Sequence, residues 1–205
     1  MSSEPIYILP GMGADSAMYA GAWRMLPNCF FVEWPPYKKE NSIEKIGRRV
    51  VEEAGIKDGA ILVGSSLGGI VACEIAKLRS LRHLFLVGGA KKKEEINDFL
   101  ALIHPLADLL PIEFIQRVAG KIPNEVTKMF NRSQAEFIRA MCKAIFEWPG
   151  LDDAVLKPER IHGEFDRVIP VPPDVQKVVD GGHLIAMTHA QECVDFITSR
   201  VGRVR

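Results

Sequence analysis

A chain of 205 residues, 47% apolar and 25% charged, is long enough to bury a sizeable single-domain core and too apolar for a disordered segment. Lys plus Arg and Asp plus Glu each total 26, so the formal charge is zero and no global field favours nucleic acid or an anionic membrane. Cys29, Cys73, Cys142 and Cys193 show no C-x-x-C spacing, no run of about 18 apolar residues occurs, and Met1-Ser2-Ser3-Glu4-Pro5 lacks a basic leader; the expectation is buried, reduced thiols in a cytoplasmic protein without a membrane span.

In chain order, Ile6-Tyr7-Ile8-Leu9 predicts a first strand, Ser16 to Met25 a helix, and Cys29 to Trp34 a second strand stopped by Pro35-Pro36. A helix is expected from Ser42, with Ile43, Ile46, Val50, Val51 and Ala54 on one face. Ala60-Ile61-Leu62-Val63 reads as a third strand, followed by a helix carrying Ile70, Val71, Cys73, Ile75, Ala76 and Leu78. His83 to Val87 reads as a fourth strand. Such alternation with short punctuation is the pattern of a parallel sheet with helices on both faces.

From about residue 91 to 149 the strand signal stops, and a helical insertion is expected. Lys91-Lys92-Lys93 reads as a solvated helix start, Pro111 suits a first helical position, Pro123 breaks the next stretch, and Ser133-Gln134-Ala135-Glu136 has the form of a capping box. Phe137, Met141, Ala144, Ile145 and Trp148 then share a face. Two more strands, near Arg160-His162 and Val175-Val179, and a final helix with Ala190, Cys193, Val194, Ile197 and Val201 on one side bring the expected sheet to six strands.

Gly64-Ser65-Ser66-Leu67-Gly68, set between the third strand and its helix, is a G-x-S-x-G sequence. A serine leaving a strand and starting a helix in one sharp turn occupies a strained backbone position, and the flanking glycines remove side chains that would collide there. Ser66 is thereby presented at a strand tip. Downstream, Ile161-His162-Gly163-Glu164-Phe165-Asp166 places an aspartate just past one strand, and Val178-Val179-Asp180-Gly181-Gly182-His183 places a histidine just past another. Functional groups of open parallel sheets gather at the carboxyl ends of strands, so Ser66, Asp166 and His183 can meet.

With these motifs in the order serine, acid, histidine, the chain resembles the α/β-hydrolase superfamily over essentially its whole length. The resemblance implies an α/β-hydrolase fold, a six-stranded, mostly parallel sheet within a single domain of residues 1–205, and a helical lid at about 91–149. It also implies that Ser66 is the nucleophile, His183 the base and Asp166 its orienting acid, with an oxyanion hole made by the backbone N–H groups of Leu67 and of Met12 in Pro10-Gly11-Met12-Gly13. Gly11, Gly64 and Gly68 are the loop and elbow glycines. Two departures stand out: relatives often have His-Gly where this chain has Pro10-Gly11, and they usually begin with an antiparallel hairpin that this sequence does not place before Ile6.

Competing assignments remain open at this stage. Asp152, Asp153 or Glu164 could supply the acid, and Ser65 adjoins Ser66. His162 reads as a satisfied core histidine, His83 as a strand opener, His104 as part of the insertion and His189 as the start of the last helix. Met12, Tyr19 and Trp23 could line a pocket, although aromatic residues at helical spacing more often belong to a core. No histidine or acid pair has a metal-ligand spacing and no phosphate-binding glycine loop occurs, so no metal or cofactor is expected. The implied activity is that of a carboxylesterase or thioesterase on a small or medium acyl substrate. Amidase, carbon–carbon hydrolase, perhydrolase and lyase chemistry share the constellation, and a non-catalytic ligand-binding member of the fold is the reading from another class.

Overall fold

The computed structural model describes residues 4–96, 128–129, 132–178 and 180–202. Strands β1 (Ile6–Leu9), β2 (Cys29–Phe31), β3 (Ile61–Ser65), β4 (His83–Val87), β5 (Glu159–Gly163) and β6 (Gln176–Val178) form one sheet in the order β2-β1-β3-β4-β5-β6. Every pairing is parallel, so all six carboxyl ends lie along the same edge. The chain reverses its direction of travel across the sheet between β1 and β3. A crevice at the carboxyl ends is expected at such a switch point, and both Gly11 and Ser66 leave the sheet there.

Alternation along the strands divides the interior in two. Tyr7, Leu9, Leu62, Leu84 and Leu86 pack with Ile46, Val50, Ile70, Val71, Phe137 and Met141 on one face. These partners come from α1 (Ile43–Ala54), α2 (Leu67–Leu78) and α3 (Ala135–Glu147). Ile6, Ile8, Ile61, Val63, Phe85, Val87 and Ile161 point the other way, onto Trp23, Ile185, Phe196 and Ile197. That side is covered by α4 (Ile185–Thr188), α5 (Ala190–Val201) and a 3-10 turn at Gly21–Met25.

Local chemistry explains both agreements and corrections. Ser42 accepts from the Lys45 N–H and Gly55 closes the other end of α1 in the left-handed region at φ 66°, so this helix has both its expected start and a stop. The helix expected from Ser16 to Met25 is instead two 3-10 turns, Ser16–Met18 and Gly21–Met25. Asp15 caps the first through the Ala17 N–H, and Gly21 at φ 59° interrupts continuation. The second strand stops at Phe31 because its partner β1 ends at Leu9, one last bond running from the Val32 N–H to the Ile8 carbonyl. The capping box does not form. Ser133 Oγ donates to the Met129 carbonyl at 3.1 Å and α3 begins at Ala135, with the Gln134 side chain accepting from the Tyr37 N–H.

All four cysteines are free, but only Cys73 and Cys193 are buried; Cys29 and Cys142 are partly exposed, which corrects the expectation of four buried thiols. Burial raises the thiol pKa of Cys29 and Cys142 to about 11. The solvated reading of the lysine run holds for Lys92 and Lys93, whereas Lys91 is partly buried and pairs with Asp153. Within the insertion, Phe137, Met141, Ala144 and Ile145 are buried as one face of α3, and Trp148, just past its end, is buried as well. Phe99, Leu102, Ile103, His104, Leu106, Leu109, Leu110, Pro111, Ile112, Phe114, Ile115 and Pro123 lie outside the described residues. Among the described residues no helix is long and apolar enough to cross a membrane.

Candidate active site

Ser66 sits between the end of β3 and the first residue of α2 with φ 52° and ψ −119°. A non-glycine residue held at positive φ is strained, and the neighbouring packing shows what enforces the turn. A Cβ on Gly64 would lie 2.3 Å from the Gly68 carbonyl oxygen, and one on Gly68 would lie 2.5 Å from the carbonyl oxygens of both Leu9 and Pro10. The two glycines therefore let α2 press against β3 and β1 at its first turn. Gly11 differs: its Cβ would meet Ser66 Cβ at 3.6 Å, an ordinary contact. Ser65 is buried as the last residue of β3, opposite Val87, so Ser66 is the serine at the strand tip.

His183 Nε2 lies 2.9 Å from Ser66 Oγ, and His183 Nδ1 lies 2.9 Å from Asp166 Oδ2. The three residues come from the tips of β3 and β5 and from the loop after β6, as the chain order requires. Asp166 is 7% exposed. Its Oδ1 accepts from the Val168 and Ile169 N–H groups, each at 2.9 Å. Burial alone would raise this carboxyl, but donors from His162, His183 and the backbone outweigh it and hold the acid well below the usual carboxylate range. The carboxylate is thus ionised and oriented toward the imidazole. The other acids are engaged elsewhere or solvated: Asp152 accepts from the Ala154 N–H, Asp153 pairs with Lys91, and Glu164 is exposed.

The Gly11-Met12 loop runs beside Ser66. Trp34 Nε1 donates to the Gly11 carbonyl at 3.0 Å, and the Gly11 N–H faces Met18 Sδ at 3.4 Å. Helix α3 reaches the same loop, with Cys142 Sγ 3.5 Å from Met12 Sδ and the Phe137 ring 5.4 Å from that of Trp34. Among the described residues the N–H groups of Met12 and Leu67 have no intramolecular acceptor. Tyr19 and Trp23 are fully buried in the core. Tyr19 Oη donates to the Leu9 carbonyl at 2.6 Å, and Trp23 Nε1 to the Ala186 carbonyl at 2.7 Å, bracing the end of β1 and the short helix that follows His183.

Two participants escaped the sequence reading. Gly163 is one: a Cβ there would lie 2.2 Å from the Gly182 carbonyl oxygen, so a bare backbone at the tip of β5 admits the loop that carries His183. His162 is the other. It is fully buried, but rather than being satisfied within the core it stands with Nε2 3.0 Å from Asp166 Oδ2 and 2.8 Å from the Ile169 carbonyl oxygen, while Nδ1 has no partner. The signal for it was a histidine four residues before the acid across a strand tip. The other described histidines are elsewhere: His83 pairs with Glu159, and His189 precedes the first residue of α5 without a side-chain cap bond. Among the described residues no group of three or more His, Cys, Asp or Glu side chains could hold a metal ion.

No protein-family model and no curated protein sequence matches the chain. Solved structures do. An esterase from Thermogutta terrifontis is 17% identical at a TM-score of 0.71, the match covering 98% of this chain and 90% of that one. An esterase from Exiguobacterium antarcticum is 15% identical at a TM-score of 0.74, covering 98% and 92%. The N-acyl homoserine lactonase AidH, in a mutant complexed with N-hexanoyl homoserine, is 16% identical at a TM-score of 0.72, covering 98% and 90%. The parallel sheet, its switch point and nearly full-length superposition on these hydrolases together give the chain the α/β-hydrolase fold.

Proposed function

We propose that this protein is a serine hydrolase cleaving carboxylic ester or thioester bonds of small to medium acyl substrates through an acyl-serine intermediate. The observation that carries the proposal is the unbroken line from Asp166 Oδ2 to His183 Nδ1, and from His183 Nε2 to Ser66 Oγ, each step 2.9 Å. A serine hydroxyl is a weak nucleophile until a base within hydrogen-bond reach can take its proton. Ser66 Oγ attacks the acyl carbonyl carbon while its proton passes to His183 Nε2, and ionised Asp166 stabilises the imidazolium through Nδ1–H. The oxyanion accepts from the Leu67 and Met12 N–H groups, each such donor contributing about 2.7–4 kcal/mol to transition-state stabilisation. Collapse expels the alcohol or thiol, which takes the proton from His183. Water, deprotonated by the same imidazole, then releases the acid and restores Ser66.

The esterase and lactonase among the structural neighbours support this bond class, a lactone being a cyclic ester. A ligand-binding protein has no physical use for a strained serine joined to a base and an ionised acid. Four free cysteines fit a reducing compartment, and we place the protein in the cytoplasm. Fluorophosphonate labelling tests the reading: stoichiometric modification at Ser66, blocked in Ser66→Ala, is the expected result. A folded protein that does not react would leave the ligand-binding reading.

A further inference from the structure

Orienting one imidazole needs one carboxylate oxygen held in place, and here both oxygens are surrounded by donors. Oδ1 takes the N–H groups of Val168 and Ile169, which fixes the turn after β5, and Oδ2 takes His183 Nδ1–H. His162 Nε2 then approaches Oδ2 to 3.0 Å and the Ile169 carbonyl oxygen to 2.8 Å. Both neighbours can only accept, so Nε2 carries a hydrogen, which is bonded to the Ile169 carbonyl oxygen with Oδ2 close beside it. Nδ1 is buried with no partner, so a second proton there would be an unsatisfied buried donor. Geometry thus assigns the neutral, Nε2-protonated tautomer.

For packing alone a histidine is a poor choice at this position. Leucine or methionine would fill similar space without burying an unpaired nitrogen, which carries a desolvation cost. What the imidazole adds is its single N–H, placed where the acid and the turn that holds it converge. We infer that His162 is a positioning residue for Asp166: its N–H, bonded to the Ile169 carbonyl and set beside Oδ2, fastens the turn, so that one residue, Ile169, holds Oδ1 through its N–H and is itself held by the ring. The carboxylate plane, and with it the tautomer and aim of His183, is set from β5 as well as from the turn. This inference rests on the serine-hydrolase reading above.

The test measures aryl-ester turnover and fluorophosphonate labelling rate for the full chain and for His162→Leu, His162→Asn and His162→Gln. The leucine variant keeps volume without a donor, the asparagine amide is too short to reach, and the glutamine amide can place an N–H near the original Nε2. The expected result is a kcat about 10- to 100-fold lower for Leu and Asn with KM little changed, labelling slowed in parallel, and glutamine restored to within about 3-fold of the parent. If leucine fails to fold, the Asn and Gln pair carries the comparison. In parallel, the 15N spectrum of the parent protein should place the neutral His162 ring's proton on Nε2 and show its resonances moving in Asp166→Asn. Variants that all match the parent, an equal loss in Asn and Gln, or an Nδ1-protonated ring would overturn the inference while leaving the labelled enzyme intact. A parent protein that neither labels nor turns over ester would sink the hydrolase reading and this one with it.

Discussion

His183 Nε2 stands 2.9 Å from Ser66 Oγ although 117 residues separate them in the chain. Ser66→Ala removes one oxygen from that contact and nothing from the core, so ester hydrolysis is expected to fall by several orders of magnitude with the melting temperature little changed. Ser65→Ala should have far less effect. Parallel turnover and thermal-melt measurements on the two variants check this, and near-parental turnover in purified Ser66→Ala would refute the mechanism.

Asp166→Asn keeps the shape of the acid but lets an amide donor face His183 Nδ1, favouring the wrong tautomer. By analogy with other serine triads the expected loss in kcat is about 10⁴-fold. Changes at Asp152, Asp153 or Glu164 should leave kcat within a few fold. Full activity in Asp166→Asn, with silence in one of the others, would move the acid.

Stability responds to pH through Asp166, whose folded pKa is depressed by its donors. Its contribution is therefore complete above the unfolded carboxylate range, about pH 4, and is lost as pH falls from there toward the folded value. Urea unfolding from pH 5 down to pH 3 should show a steeper loss of stability in the parent protein than in Asp166→Asn. Equal slopes would mean that the carboxylate is not held by its donors.

Glycine identity should matter unequally around the nucleophile. Gly64→Ala and Gly68→Ala drive a methyl to within 2.3 and 2.5 Å of backbone oxygens, which no side-chain rotation can relieve. Each should cost more than the roughly 1–3 kcal/mol of ordinary overpacking and abolish Ser66 labelling. Gly11→Ala meets only Ser66 Cβ at 3.6 Å and should fold with a nearly unchanged melting temperature. Similar melting temperatures for all three would contradict the packing account of the elbow.

The apolar composition of the insertion, from Phe99 to Ile115, supplies the motive for a substrate prediction. An apolar roof stabilises bound acyl groups by about 0.8 kcal/mol per buried methylene until the cavity is full. The expected profile of kcat/KM rises from two-carbon to medium-chain acyl esters and then falls. A flat profile, or a steady preference for acetyl, would remove the apolar roof and point to a small polar substrate.

Local signals in the sequence determined much of this protein. Short apolar runs set the strands, helical spacing set α1, α2 and α5, and glycine spacing selected Ser66 over Ser65. Serine, acid and histidine after successive strands carried the candidate triad because a parallel sheet brings all carboxyl ends to one edge. The errors came where a distant group competes with a local rule. Asp15 and Gly21 broke an expected helix into two turns, and Ser133 and Gln134 found partners at Met129 and Tyr37 in place of a capping box. Only the tertiary structure set Asp166 rather than its neighbours beside His183, its carboxylate accepting three hydrogen bonds in a buried turn with His162 Nε2 3.0 Å away, while Asp153 went to Lys91 and Glu164 to solvent. Only it brought the Gly163 backbone against Gly182 and the His162 ring against the acid. Propensity and periodicity act within a few residues, whereas hydrogen-bond satisfaction and close backbone approach are decided by whatever the fold places alongside.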